Sequence, residues 1–168
     1  ITAIESDESG SGGNDNKGSV SILKYDGTNW NLRHNEIYGE DIGDEEGMSV
    51  SLNTDGTKIA ISTIQNDDNG VNAGQVRIFE DTGTTWSQIG DDVLGPSDTG
   101  VGEVTTVQLG TEILSSYHWW PADDNSKRGF GGSVAMNAIG DRIIVSETGS
   151  MNGDQYAFVY EYSNTNNE

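Results

Sequence analysis

Apolar residues fall at every second position in several short stretches of the chain: Val20 and Ile22, Val50 and Leu52, Ile59 and Ile61. A spacing of two puts successive apolar side chains on one face of a half-buried strand. Between these stretches stand residues that accept a positive φ, in Asp26-Gly27 and in Asn53-Thr54-Asp55-Gly56. Turns of that composition join neighbouring antiparallel strands as hairpins. No segment carries a helical period with caps over three turns. The pattern predicts an all-β protein.

The pattern also repeats. Gly18 to Gly39 reads GSVSILKYDGTNWNLRHNEIYG and Gly74 to Gly95 reads GQVRIFEDTGTTWSQIGDDVLG, an offset of 56. GMSVSLNTDGTKIAIS from Gly47 matches GGSVAMNAIGDRIIVS from Gly131 at an offset of 84. The difference, 84 − 56 = 28, locates an insertion of about 28 residues between Gly95 and Gly131. AFVYEY at Ala157 to Tyr162 matches the VSILKY and VRIFED stretches, and TAIES at Thr2 to Ser6 resembles IAIST at Ile59 to Thr63. One unit reads as four strands: SVSILKY, NWNLRHN, MSVSLN and KIAIST.

Four short antiparallel strands in a repeat of about 40 to 60 residues is the pattern of a β-propeller blade. The expected division is 1–17 as the end of a preceding blade and its loop, 18–73 as one blade repeat, and 74–168 as a second, with the insertion at about 96–130 and the start of a third blade. That makes about 2.5 to 3 repeats, against roughly four to eight in a closed propeller. Both ends fall inside a repeat, so a fragment of a larger propeller is expected, or one completed by other chains. Trp30 and Trp86, like Gly47 and Gly131, hold equivalent places and read as structural repeat positions. The two tryptophans are expected in the core between blades.

Composition narrows the partners. The 168 residues include 8 Lys and Arg against 28 Asp and Glu, a net charge of −20. Clustered cations are needed to displace the counterions of nucleic acid, so unaided DNA or RNA binding is excluded, and anionic membrane surfaces repel such a chain. A hydrophobic share of 32% with this charge approaches the composition of disordered chains. Four Trp, six Tyr and the regular alternation argue for a folded one. No apolar run reaches the ~18 residues of a membrane span, so no membrane insertion is expected. The absence of Cys removes disulfides, thiolate metal sites and thiol nucleophiles. The opening Ile1-Thr2-Ala3-Ile4 has neither an initiator Met nor a signal peptide, so a processed, trimmed or partial chain is expected. No N-x-[ST] sequon occurs.

Two kinds of residue group are candidates for chemistry. Acidic and amide clusters lie at Asn66-Asp67-Asp68-Asn69-Gly70, at Asp41 to Glu46 and at Asp7 to Asn16. Calcium takes six to eight hard oxygen ligands, which such loops offer; the competing reading is a solvated turn whose Asn and Asp bond their own backbone. Asn66, Asp67, Asp68 and Asn69 are the metal candidates, and no cofactor is required. The insertion carries Tyr117-His118-Trp119-Trp120, adjacent rings that cannot all face one core from a strand. These four are the contact candidates, for another protein or for polysaccharide; alternatively the insertion folds back as its own hairpin, with Val104 to Leu109 as one strand. No catalytic residues are expected. Glu45 and Glu46 are adjacent and face opposite ways on a strand, unlike the facing carboxylates of glycoside cleavage. His34 and His118 lack metal spacing, no G-x-S-x-G elbow is present, and Gly10-Ser11-Gly12-Gly13 is not followed by a helix that would cradle phosphate.

The combined pattern, G-x-V-x-[IV]-[YF] through G-T-x-W and then G-x-S-V-[SA]-[LM]-N-x-x-G, resembles the extracellular β-propeller repeat proteins of marine protists and bacteria, distantly similar to the FG-GAP repeats of integrin α propellers. The Phe-Gly and Gly-Ala-Pro signatures of the latter are absent. The resemblance implies a propeller fold outside the cell or at its surface and implies no reaction. The resulting expectation is a non-enzymatic structural or adhesive module that contacts other protein chains, including copies of itself in a filament or coat. The alternative is a carbohydrate-binding propeller assisted by calcium.

Overall fold

A computed structural model describes residues 15–95, 129–147 and 157–161, and the backbone alone of Thr2–Ala3, Glu103–Leu109 and Glu112–His118. Among the described residues every regular element is a strand. In chain order these are β1 (Thr2–Ala3), β2 (Ser19–Val20), β3 (Leu23–Tyr25), β4 (Trp30–Leu32), β5 (Ile37–Tyr38), β6 (Ser49–Leu52), β7 (Lys58–Thr63), β8 (Gln75–Asp81), β9 (Trp86–Gln88), β10 (Val93–Leu94), β11 (Glu103–Leu109), β12 (Glu112–His118), β13 (Phe130–Met136), β14 (Arg142–Glu147) and β15 (Ala157–Glu161). The protein is all-β.

Three antiparallel sheets follow one another. The first has the order β1-β2-β5, and β3-β4 forms a separate two-stranded sheet. The middle one has the order β10-β8-β7-β6, with β9 also on β8, and the third is β13-β14-β15. Strands β11 and β12 form a hairpin of their own, with Tyr117 opposite Val104 and His118 opposite Glu103.

This pairing regroups the four-strand unit read from the sequence. MSVSLN and KIAIST pair with each other and then with QVRIFED, not with the two strands that precede them, so the middle sheet spans 49–94 and straddles the boundary placed at 73/74. The hydrogen bonds give the reason. After β7 the chain turns back on itself at Asn66–Gly70, where Gly70 N–H donates to Asp67 O and Gly74 N–H to Asn66 O. The segment before β6 instead runs alongside Asp15–Lys17: Gly43, Glu45 and Glu46 donate their N–H groups to Asp15, Asn16 and Lys17 carbonyls. That excursion carries the chain out of the first sheet.

The middle sheet is covered on both faces, as the period-two rule requires of alternating side chains. Ile59, Ile61, Phe79 and Trp86 join Val20, Ile22 and Ile37 of the first sheet in one buried cluster. Ala60, Val76, Ile78 and Val93 join Phe130, Val134, Ile143, Val145 and Tyr160 of the third sheet in another. Each fully buried Ile, Val or Phe is worth about 1.5–3 kcal/mol, so these two junctions dominate the stability of the stack.

The junctions are congruent. A Cβ on Gly18 would collide with the backbone of Glu46, and one on Gly74 with the backbone of Phe130; both glycines also have positive φ, +77° and +83°. Gly18 and Gly74 are 56 apart and Glu46 and Phe130 are 84 apart, the two repeat offsets. Non-glycine residues with positive φ fall into the same register: Asn16 with Asn72, Glu45 with Gly129, His34 with Gly90. At the second junction the serines of β6 replace ladder partners for β13, because Val134 N–H donates to Ser49 Oγ at 3.1 Å and Met136 N–H to Ser51 Oγ at 2.9 Å. Ser62 Oγ donates to Gly131 O at 2.6 Å.

The equivalent tryptophans have unlike surroundings. Trp86 is 6% exposed, donates from Nε1 to Arg33 O at 3.0 Å and meets the edge of the His34 ring. Trp30, expected in the core, is 67% exposed and leans on Tyr25 with ring centroids 5.3 Å apart. Trp86 is covered by the Arg33-His34 turn of the sheet before it, and no described residue stands in that relation to Trp30.

Candidate functional site

The polar feature of the first junction begins with Arg77. On β8 it lies on the same face as Phe79, the side turned to the first sheet, where its guanidinium sits over the Phe79 ring at 5.2 Å. Its Nη2 donates to Tyr38 O at 2.7 Å and lies 3.0 Å from Glu46 Oε1, while Nη1 is 3.4 Å from Glu40 Oε1. Gln75, on the same face, donates from Nε2 to Glu40 Oε2 at 3.2 Å. Arg77, Gln75 and Glu46 are all buried.

Burial is the largest influence on Glu46 and pushes its carboxyl up to about 7, partly opposed by Arg77 and reinforced by the charges of Asp44 and Glu40. Asp44 is also raised, chiefly by burial. Asp41 N–H donates to Asp44 Oδ2 at 3.0 Å, and the Thr63 hydroxyl donates to the Asp44 carbonyl. The contact between Arg77 and Glu46 is an ion pair without hydrogen-bond alignment, since neither Glu46 oxygen, nor Gln75 Oε1, nor Arg77 Nε has a hydrogen-bond partner. A carboxyl poised near 7 suits proton transfer, but Glu46 is 0% exposed and no substrate reaches it in this arrangement.

Beside this network three loops converge. Glu40 follows β5, Asp68 lies between β7 and β8, and Asp92 lies between β9 and β10, and one carboxylate oxygen of each lies within 4.8 Å of the others. Three hard oxygens are half of the smallest calcium shell, with water or backbone carbonyls to supply the rest.

Of the four metal candidates read from the sequence, Asp68 alone belongs to this trio. Asn66 Oδ1 accepts from Asp68 N–H at 3.1 Å, Asp67 Oδ1 accepts from Asn72 N–H at 2.7 Å, and Asn69 Nδ2 donates to Gly95 O at 2.8 Å. Asn66 and Asp67 hold the turn, and Asn69 ties it to the residue after β10. Tyr117 and His118 end β12, their side chains outside the described residues; Trp119 and Trp120 lie wholly outside them. Gly47 and Gly131 both have positive φ, +101° and +91°, at the entry to β6 and within β13. His34 Nε2 is 2.8 Å from Asp81 Oδ1, and Arg33 pairs with the same carboxylate. The Gly83 N–H, followed by His34 and Arg33, lowers Asp81 below its ordinary value.

Sequence reasoning passed over Glu40, Asp92 and Arg77, and set Glu46 aside as one of two adjacent carboxylates. For the last two a signal existed: the repeat places Phe130 at the position of Glu46 and Phe158 at that of Arg77, so a charged pair in one copy is jointly aromatic in the next. No known family model matches the chain, and no curated protein does.

Proposed function

We propose that the chain is a non-enzymatic structural and adhesive module, extracellular or at a cell surface, built of propeller-type four-stranded blades and acting through contacts with other protein chains. The congruence of the two junctions carries this reading: one sheet-on-sheet contact is used twice, with the same glycine collisions and backbone angles, as a repeat that stacks requires. The sealed position of Glu46 speaks against chemistry there. Light scattering on purified protein across a range of concentration, beside affinity capture from the native source, tests the proposal. Particles heavier than 18.0 kDa, or reproducible capture of a protein partner through Trp119 and Trp120, support it; a monomer that captures nothing overturns it.

The acidic trio favours a second reading, a calcium-assisted carbohydrate-binding propeller using Tyr117, His118, Trp119 and Trp120. Its test is a glycan array with and without chelator, with calorimetric calcium titration of the wild type and Asp92→Asn. Chelator-sensitive glycan binding, and calcium uptake lost in Asp92→Asn, support it. No glycan binding and no calcium uptake remove it.

A further inference from the structure

Carboxyl groups crowd the side of the first junction where three loops meet. Glu40, Asp68 and Asp92 bring one oxygen each within 4.8 Å of the others. A point no more than about 2.8 Å from all three oxygens therefore exists, close to the bond length of calcium to oxygen, about 2.3–2.6 Å. Asp68 also acts as a like charge on Asp44, and Asp44 and Glu40 on Glu46. Acidic crowding is common at a protein surface; a buried amide beside it is not. Gln75 is 0% exposed, its Nε2 donates to Glu40 Oε2 at 3.2 Å, and its Oε1 has no hydrogen-bond partner. A buried carbonyl oxygen left without a donor is costly. Both amide atoms share one carbon, so this oxygen is held against the Glu40 carboxylate, at the trio. A half-turn about the last side-chain bond brings it to the place of Nε2, next to Glu40 Oε2. Two oxygens at that separation repel unless a cation joins them. The repeat does not copy the trio: 56 residues after Glu40 stands Pro96, and 84 after Asp68 stands Asn152.

We propose that Glu40, Asp68, Asp92 and the Gln75 carbonyl bind one calcium ion, which ties the first sheet to the middle sheet. Glu40 follows β5 of the first sheet, whereas Asp68 precedes β8, Gln75 opens β8 and Asp92 precedes β10, all in the middle sheet. Four hard oxygens leave roughly two to four places for water or backbone carbonyls in a calcium shell. Three carboxylates on separate loops suit the weaker class of site found in extracellular modules, with Kd about 10⁻⁴–10⁻³ M. The ion neutralises charge that Arg77 meets only in part, because its guanidinium is shared between Glu46 and Glu40. To the apolar contacts of the junction it adds a clamp that depends on the medium.

This inference rests on the acidic trio of the calcium-assisted reading but needs no glycan, and its test separates the two. Wild type, Asp92→Asn, Gln75→Met and Asp67→Asn are titrated with calcium chloride alone by calorimetry, and their thermal unfolding is followed in calcium and in chelator. Circular dichroism checks that each variant keeps its strands, and Gln75→Leu serves should Gln75→Met unfold. Asp67 lies beside Asp68 and outside the trio, so its variant reports the general attraction of cations to a chain of net charge −20. The expected result is one calcium per chain, bound at least about tenfold more weakly by Asp92→Asn and Gln75→Met and as tightly as in the wild type by Asp67→Asn. Calcium should raise the melting temperature of the wild type and not that of Asp92→Asn. No saturable uptake, an equal loss in Asp67→Asn, or a Gln75→Met that binds as the wild type does overturns the inference. Calcium uptake in the expected pattern with an empty glycan array supports it and removes the carbohydrate reading. Glycan binding without calcium uptake overturns it and leaves a carbohydrate module that needs no ion.

Discussion

The two junctions share a backbone frame and fill it with opposite chemistry. Where the first junction holds Glu46 and Arg77, the second holds Phe130 and Phe158, rings 5.8 Å apart, with Tyr160 standing edge-on to Phe130. The aromatic junction is sealed: Phe130 is 1% exposed, and a void of about 10 Å³ remains beside Ile78, Ile143 and Tyr160. The ionic junction draws in Glu40, Gln75 and the Tyr38 carbonyl around one guanidinium, still leaves buried polar atoms without hydrogen bonds, and opens on the acidic trio. Gly18 and Gly74 set the approach of the sheets in both cases. Backbone fit therefore determines the stacking, and the side chains at these positions determine whether the contact is apolar or charged.

The largest test of this difference removes one member of each pair. Arg77→Met leaves Glu46 buried without a counter-charge and is expected to cost about 3–5 kcal/mol. Phe130→Ala, which empties an aromatic site, is expected to cost about as much, 3–5 kcal/mol, by loss of packing. Urea unfolding followed by circular dichroism measures both. A loss below about 1 kcal/mol for Arg77→Met would show that the Glu46 pair is not held as described.

Importing the second junction into the first has the opposite sign. Replacing a buried ion pair by well-packed apolar residues is commonly neutral or stabilising by about 1–4 kcal/mol, so Glu46→Phe with Arg77→Phe should be no less stable than the wild type although Arg77→Met alone is damaged. The double variant also deprives Glu40 of Arg77. A double variant as unstable as Arg77→Met would mean that the first junction cannot accept the packing of the second.

The same contrast predicts a pH dependence confined to the first junction. Glu46 is raised from its ordinary 4.5 to about 7 in the folded chain. The folded state therefore binds the proton more tightly, and the stability this group contributes is fully present below about 4.5 and lost as pH rises through about 7. Asp26, Glu36, Asp55 and Asp81 are lowered, and their contribution is lost only as pH falls below the ordinary carboxylate range. Between pH 5 and 8 the melting temperature should fall with rising pH in the wild type and stay flatter in Glu46→Gln. Parallel profiles for the two proteins would refute the assignment.

Strands and repeat were legible in the sequence because period-two alternation and turn residues are local. Val20 with Ile22 and Ile59 with Ile61 announce themselves within three residues. Which hairpin joins which sheet was not legible, since it depends on hydrogen bonds from Gly43, Glu45 and Glu46 back to Asp15–Lys17, some 28 to 29 residues away. The run at Asn66–Asn69 reads as a ligand loop, yet two of its side chains are consumed by the turn and a third by the carbonyl of Gly95. The carboxylates that join Asp68 come from positions 28 residues before it and 24 after it, with no local pattern to mark them. The ionic pair was legible only by comparing the repeats with each other, where Glu and Arg stand in place of two Phe.

The smallest expected effect concerns the tryptophans, and its smallness is informative. Trp86→Ala removes a buried ring that fills the first junction and hydrogen-bonds Arg33, a change of the class that costs about 3–5 kcal/mol. Trp30→Ala removes a ring of the same type from the same place in the repeat, but one that is 67% exposed and touches Tyr25. A surface substitution of that kind usually changes stability by no more than about 0.5 kcal/mol. Measured at a concentration where the chain is monomeric, Trp30→Ala should therefore unfold almost as the wild type does. A loss approaching that of Trp86→Ala would mean that Trp30 is already covered within the chain; a negligible loss leaves a large apolar ring held at the surface with no part in folding.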